Sequence, residues 1–424
     1  MPTNQKMKAQ RRMMSDTMSP SFLNEKTAPS IHQAVMDLME LWKVKARLAG
    51  SQRVFQADVD LRHAILDALW PVALGTHPGT VKAQTEALKE SSEIPETNSD
   101  VVEFSSFHVP ETFEAMAGIA DSVESILSSP FPAIHHWILR QFPKLRTVFQ
   151  VKERLITSSL EAALNRAQEG SKIQSAADLI LSRALKTGTA DVASPVVRDE
   201  LFGFLVAGHD TTATTLAWGV KYLSDHPAVL DKLRRRMRKA WPYTKVPTAE
   251  DLVRTSVPYL EAVVEEIARC SGTQSAISRR TTKDVNIMNV LIPKGTDVFF
   301  MTNGPDFREV KIPVFPAYKG PSEDPRPGFW PDYTLGYFCP ERWINFEGDG
   351  EQFVQDAGPS YPFGAGFRGC FGKRLARLQL RIAVALLVSS FELEDVPQAL
   401  SSYAATDKLN HHPQQCYVRL REIK

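Results

Sequence analysis

The chain has 424 residues, 43% of them hydrophobic, enough to bury a large core and too many for a disordered chain. Its 50 basic and 49 acidic residues nearly cancel, so no global charge argues for nucleic acid or an anionic surface as partner. Cys270, Cys339, Cys370 and Cys416 are widely spaced with no C-x-x-C pair, which fits neither a disulfide framework nor a zinc ribbon and points to a reducing compartment.

In chain order, residues 1–12 are polar and basic without an apolar h-region, so neither a signal peptide nor a membrane anchor is read there. The longest apolar stretch, 382–388, is too short to span a bilayer. Apolar residues recur at three- and four-residue intervals over 34–45, 61–73, 159–167 and 176–185, which predicts a mostly helical first half. Residues 91–100 contain Pro95 and no period, and read as a surface loop. Ser194 can cap, and Pro195 can occupy the first turn of, a long and mostly buried helix that runs toward Leu223 before Asp225-His226-Pro227 interrupts it. Further helices follow over 228–241 and 257–270. The period then changes to two: 285–287, 290–292, the turn Pro293-Lys294-Gly295 and 298–301 together read as a β-hairpin. A Pro- and Gly-rich coil covers 304–363, and a last helix, 373–388, precedes a short strand-like tail.

The most specific stretch is Phe363-Gly364-Ala365-Gly366-Phe367-Arg368-Gly369-Cys370-Phe371-Gly372, which leads directly into that last helix. Taken alone, Gly364-x-Gly366-x-x-Gly369 is a dinucleotide fingerprint, with Glu392 and Glu394 near the distance of a ribose-binding acid. That reading needs a strand just upstream, where Pro359 and Pro362 stand, and a central parallel strand tolerates neither. Cys370 gives the segment a second reading. The glycines let the backbone pass close to a flat ligand, and the cysteine arrives at a helix N-terminus, where unpaired N–H groups and the dipole favour a thiolate. A thiolate pushes electron density onto haem iron and promotes O–O cleavage. Arg368 is placed to pair with a haem propionate. The plainer alternative makes Cys370 merely a small buried residue.

On these residues the chain resembles the cytochrome P450 family, whose haem loop has the pattern F-x-x-G-x-R-x-C-x-G with every fixed position present here. Three further motifs occur in the family's order. Ala207-Gly208-His209-Asp210-Thr211-Thr212 resembles A-G-x-[DE]-T-[TS] in mid-helix, where an acid and an alcohol are locally unfavourable. The resemblance implies that the helix opens there, that Thr211 hydrogen-bonds the bound dioxygen and that Asp210 feeds protons from solvent. The competing reading is that Thr211 and Thr212 simply back-bond to carbonyls one turn earlier. Glu266-Ile267-Ala268-Arg269 and Pro340-Glu341-Arg342-Trp343 resemble the E-x-x-R and P-E-R-W segments, which implies a buried triad of Glu266, Arg269 and Arg342. Arg279 falls where the family places a second propionate-binding arginine, with Arg280 as the alternative, and residues 271–278 depart from the family's proline-rich turn. Residues 6–22 resemble the helix whose tryptophan and arginine reach a propionate; Met7 stands in the tryptophan position and Arg11 in the arginine position. His411, His412 and Cys416 lack the fourth ligand that a structural zinc site would need.

The fold so implied is mainly α with a small β lobe, a single cytochrome P450 domain over 1–424 that lacks the family's N-terminal portion. The implied cofactor is haem, with Cys370 as axial thiolate and metal ligand and with Arg368, Phe363, Arg279 and Arg11 around it. Asp210 and Thr211 are the implied catalytic residues, and electrons are to come from NADPH through a flavoprotein reductase. The implied reaction inserts one oxygen atom from O2 into a small apolar organic molecule. The chain's style resembles fungal microsomal members active in secondary metabolism; the alternative is a truncated, non-catalytic haem-binding remnant. A monomer is expected, with no nucleic-acid partner. Family members are usually anchored in the endoplasmic reticulum facing the cytosol, an anchor not read in this chain. Without upstream strands the hairpin over 285–301 would expose an edge and haem would be held weakly. The cations Lys373, Arg374, Arg377 and Arg381, with Arg234, Arg235, Arg236, Arg238 and Lys239, read either as solvated surface or as a docking patch for an acidic flavoprotein.

Overall fold

The computed structural model describes residues 5–90, 99–104, 107, 109–127, 129–186, 194–287, 289–302, 335–347, 350–358 and 360–423. Helices dominate, and many begin where the sequence places a proline. Pro132–Leu139, Pro143–Gln168, Pro195–Ser224, Pro227–Ala240 and Pro258–Ser271 all carry one in the first turn, where its missing N–H leaves no helical bond unmade. Ser194 precedes Pro195 as expected, yet its side chain makes no capping bond. The four periodic stretches of the first half lie in Ala28–Ala49, Asp58–Leu74, Pro143–Gln168 and Ala176–Lys186. No helix of the described residues is long and apolar enough to cross a membrane.

The central helix, Pro195–Ser224, is the axis of the core, and every residue from Thr212 to Lys221 is buried. It packs against Asp58–Leu74, Pro258–Ser271 and Lys373–Ser390. Gly208 makes the first of these crossings sterically feasible, because a Cβ there would lie 2.9 Å from Leu69 Cδ1. Beside this core, Phe55–Gln56, Tyr417–Glu422 and Phe391–Glu394 form an antiparallel three-stranded sheet. The fully buried Trp42 seals the sheet, its ring centroid 6.3 Å from Phe55 and 6.5 Å from Phe391. Its indole N–H donates to Asp60 at 2.9 Å, and the buried Lys45 pairs with the same carboxylate at 2.7 Å. Neither member of that ion pair stands out in the sequence.

Two expectations about β structure need correction. The single hairpin over 285–301 is a pair of nested ribbons: Ala276–Arg280 pairs with Asp297–Met301, and inside it Val285–Ile287 pairs with Val290–Ile292. The outer strand escaped the sequence reading because Ser278-Arg279-Arg280 breaks the apolar alternation that marks a strand. Val290, Leu291, Phe299 and Met301 are exposed on these ribbons. The coil over 304–363 also holds structure, since Ile344–Glu347 and Gly350–Phe353 form a hairpin. The remainder of that coil over 304–334, and residues 91–98 of the loop expected at 91–100, lie outside the described residues.

The Glu266 side chain is the polar centre of the helical body. Its Oε1 accepts from Arg269 at 2.7 Å, the Cys339 N–H at 2.8 Å and Arg342 at 3.0 Å. Its Oε2 accepts from Arg269 at 2.8 Å and from the Trp343 indole at 2.9 Å. Burial alone would favour neutral Arg269, but the Glu266 carboxylate outweighs it and holds the guanidinium's pKa above its ordinary value. The triad implied by the E-x-x-R and P-E-R-W segments is therefore present, with an indole and a backbone amide added. Glu266→Gln would leave two buried guanidinium groups without their counter-charge, and the unfolding free energy measured in urea should fall by about 3–5 kcal/mol.

Candidate functional site

A cavity of about 710 Å³ lies between the central helix and the cysteine loop. Six of the seven expected site residues line it: Arg11, Thr211, Arg279, Phe363, Arg368 and Cys370. The seventh, Asp210, does not. The Cys370 N–H donates to the Phe363 carbonyl at 2.7 Å, closing a tight loop ahead of the helix Lys373–Ser390. Gly364 sits at φ +61° inside that loop, in the left-handed region where a side chain would strain the turn. The glycine spacing thus serves the loop's own path as well as the approach of a flat ligand.

The cations are held in different ways. Arg11 spreads its guanidinium over two loop carbonyls, donating to Phe367 and Gly369, and stacks near the rings of Phe367 and Phe371. Arg368 contacts the Met7 thioether, so Met7 fills the tryptophan position without supplying an N–H donor. Of the two candidate arginines, Arg280 turns outward to Asp297, whereas Arg279 lines the cavity. Phe363 lies below Lys373 and Arg377, whose charged ends are 5.9 and 5.5 Å from its ring centroid.

Removal from bulk water pushes the Cys370 thiol above its ordinary range; the Gly372 N–H and the Arg11 and Lys373 charges oppose this without reversing it. Cys370 is exposed and lines the cavity, where a ligand can reach its sulfur. A metal arriving at this sulfur would displace its proton, because coordination favours the thiolate outright.

Opposite the loop, the central helix is unbroken from Pro195 to Ser224, so the local opening implied by the resemblance is not present. The Thr211 hydroxyl donates to the Ala207 carbonyl at 2.7 Å, as the back-bonding reading requires, while Thr212 donates to Gln379 Oε1 at 3.2 Å instead. Asp210 faces away, toward the C-terminal hairpin of Ala405–Asp407 and His411–Pro413. Burial alone would raise its carboxyl, but the hydrogen bond and charge of His412, the charge of His209 and the Asn410 amide outweigh it and hold the pKa down at about 2.

Sequence reasoning missed Glu200 and Asn410, both of which line the cavity. Glu200 could have been found: it precedes Gly203, Phe204, Ala207 and Thr211 at helical spacing, on the face that meets the cavity. Burial and the neighbouring Asp199 push its carboxyl up. Nothing in the sequence pairs Asn410 or His412 with a helix two hundred residues earlier.

These residues fit a haem. Among the described residues, no three His, Cys, Asp or Glu side chains gather to hold a bare ion. One cysteine suffices for a metal that a macrocycle already coordinates, and three lining arginines can meet the macrocycle's carboxylates. Apolar walls from Phe204, Ala207, Ile277 and Leu380 suit its faces. Such a donor set on a mainly helical body defines a haem-thiolate protein.

Comparison with known proteins agrees. The family model described as Cytochrome P450 matches residues 1–304 and 330–413. The chain is 33% identical over 440 residues to "Cytochrome P450 monooxygenase GME11363" of Pestalotiopsis microspora, covering 99% of this chain and 76% of that protein. It is 30% identical over 462 residues to "Cytochrome P450 monooxygenase TRI13" of Fusarium sporotrichioides, covering 99% and 78%. The crystal structure of the cytochrome P450DA heme domain superposes with a TM-score of 0.68 at 18% identity, covering 98% of this chain and 77% of that one. The chain belongs to the cytochrome P450 family. It is a haem-thiolate monooxygenase for an apolar substrate, supplied with electrons by a redox partner.

Asp210 gives a pH signature. A carboxyl with a folded pKa of about 2 against an unfolded value of about 3.9 contributes roughly 2–3 kcal/mol above the unfolded pKa, lost as pH falls through the folded one. Asp210→Asn should remove that part of the acid dependence, seen as a flatter unfolding free energy between about pH 4 and 2.

Proposed function

We propose that Cys370 is the thiolate that holds the iron, and that the chain inserts one oxygen atom of O2 into a small apolar molecule of secondary metabolism. Electrons come from NADPH through a flavoprotein reductase, and the protein acts as a single domain and a monomer. The carrying observation is the sulfur itself: of the four cysteines, Cys370 alone lines the cavity. Likeness to fungal monooxygenases supports the metabolic setting, and the apolar walls support the substrate class.

When bound, haem with a thiolate ligand supplies the activation of dioxygen and the transfer of its oxygen atom. The chain's own residues bind and steer. Arg279 and Arg368 line the cavity and would neutralise the haem carboxylates, otherwise half-buried charges, and Phe363 would pack against the macrocycle. Arg11 fixes the loop carbonyls and adds its charge to the same side. Thr211, whose hydroxyl donates to the Ala207 carbonyl, lines the cavity and by rotating about χ1 would donate a hydrogen bond to a ligand there. Asp210 holds the proton supply one residue away.

The redox partner docks on the outer side of the cysteine loop. Several cations that read as a docking patch are committed to ion pairs within the protein's own chain: Arg377 to Glu265, Arg381 to Glu261, Arg234 to Glu392 and Arg236 to Glu351. Near the loop, the Lys8 ammonium lies 5.7 Å from the ring centroid of the exposed Phe367, and Lys6, on the same helix, and Arg374, at the start of the helix after the loop, are exposed as well. An acidic flavoprotein is steered to such a patch by long-range attraction that salt screens.

The test is the reduced carbon monoxide spectrum of the purified protein. A red-shifted thiolate band that Cys370→Ala abolishes supports the assignment; a band that survives the substitution removes it. A thiolate band without substrate-dependent NADPH consumption favours the non-catalytic haem-binding alternative. Reversing Lys6 and Lys8 to Glu should slow reduction about tenfold at low ionic strength, with the difference vanishing in high salt and haem content unchanged.

A further inference from the structure

The acid of the central helix is gripped from outside the cavity. Asn410 donates its amide to Asp210 Oδ2 at 2.6 Å, and His412 Nε2 lies 3.5 Å from the same oxygen. The Thr214 hydroxyl, one helical turn beyond Asp210, lies 3.0 Å from His412 Nδ1. The hairpin that brings these residues is itself anchored: the Trp218 indole donates to the His411 carbonyl at 2.7 Å, and the His411 N–H donates to the Thr273 carbonyl at 2.9 Å.

We propose that His412 passes protons to Asp210, so that the acid is supplied through the C-terminal hairpin rather than from the cavity. This rests on the monooxygenase reading and deepens it by naming the residue that connects its acid to solvent. His412 is a positioning and relay residue; it acts through Asp210.

The hydrogen-bond partners suit a relay. A threonine hydroxyl can donate to a bare ring nitrogen or accept from a protonated one. Thr214 therefore satisfies Nδ1 whichever tautomer the ring adopts. In one transfer the Nε2 proton of the imidazolium passes to Asp210 Oδ2 while Nδ1–H stays on the Thr214 oxygen, and Nε2 then regains a proton from solvent. No electrons move. The 3.5 Å gap closes by a small side-chain rotation or one bridging water. His412 retains 21% side-chain exposure, close to the 19% of Asp210, so the pair shares contact with solvent that the buried Asn410 lacks. Asn410 holds the carboxylate still, and it also lines the cavity next to Thr211 on the helix opposite.

A carboxylate held far below neutrality carries a proton only briefly, so it needs a neighbour that can both take and give one, and an imidazole has a ring nitrogen suited to each. The other groups around His412 do not take that place. On the central helix, His209 is buried, which disfavours its charged form, and its Nδ1 lies 3.3 Å from the Leu205 carbonyl of its own helix. On the hairpin, Asp407 is paired with His411 at 2.7 Å. The turn after the Glu266 helix offers only the hydroxyls of Ser271 and Thr273, bonded to each other at 3.1 Å.

The test compares the wild-type holoenzyme with His412→Gln, which keeps an amide but cannot titrate. In the reduced carbon monoxide complex, the C–O stretch should move with pH in the wild type and stay flat in the variant. Product formed per O2 consumed should fall about tenfold, the lower end of what general acid–base groups contribute being larger still. Adding Asp210→Asn should change that ratio little further, and the substrate's spectral dissociation constant should be unmoved. A variant that keeps both the pH-dependent stretch and wild-type coupling overturns the relay. If His412→Gln loses haem, Thr214→Val decides, since it removes only the hydroxyl: a flat stretch with poor coupling supports the relay, and wild-type behaviour overturns it. Absence of any thiolate band in the wild type rejects the monooxygenase reading instead.

Discussion

A carboxylate with no access to water must find all its partners inside the protein, and Glu266 is the group on which that rule bears hardest here. It is 0% exposed and receives five hydrogen bonds, four from side chains and one from the Cys339 backbone. Each donor sits at a fixed place: Arg269 on the same helix one turn away, the rest in the short turn Pro340–Trp343 and the residue before it. Removing any donor would strand buried charge, so the turn has little freedom to move relative to the helix. Arg269 extends the same constraint to the Leu335 and Tyr337 carbonyls at 3.0 Å each. The cysteine loop follows in the chain, and its helix Lys373–Ser390 packs against the Glu266 helix and the central helix.

How legible this was depends on the range of the interaction. Local chemistry was readable: prolines mark helix starts, and a cysteine among glycines ahead of a helix marks the ligand loop. The E-x-x-R spacing is a weak signal alone, and its meaning came from a partner seventy residues on. Long-range chemistry without a pattern was not readable. Lys45 looks like any lysine on a periodic helix, yet it is buried against Asp60. Asp210 looks like a cavity residue because it neighbours Thr211. Adjacent helix residues point about 100° apart, and the difference sends one toward the cavity and the other toward Asn410. The strand Ala276–Arg280 went unread because its partner, not its own alternation, makes it a strand.

The two faces of the cavity are prepared differently. On the cysteine side the groups are loosely poised: the thiol is held above its usual range, and the Arg11 guanidinium satisfies loop carbonyls. On the helix side they are already engaged, with Thr211 on Ala207 and Asp210 on Asn410. A bound macrocycle adds charge and area to the first face. The second face must exchange one hydrogen bond for another, each worth about 1 kcal/mol net. Such exchanges cost little, so the alcohol can change partner without disturbing the helix that carries it.

The Arg11 clasp has a consequence for assembly. It joins the first described helix to the ligand loop across more than 350 residues, to Phe367 and Gly369. Contacts so distant in sequence form only after the intervening chain has collapsed, because the entropy of closing that span is lost before the bond is gained. The shape of the loop beneath the porphyrin is therefore completed late in folding. A nascent chain would carry its sulfur in an unfinished turn until the two ends met, which places porphyrin capture after collapse of the helical body.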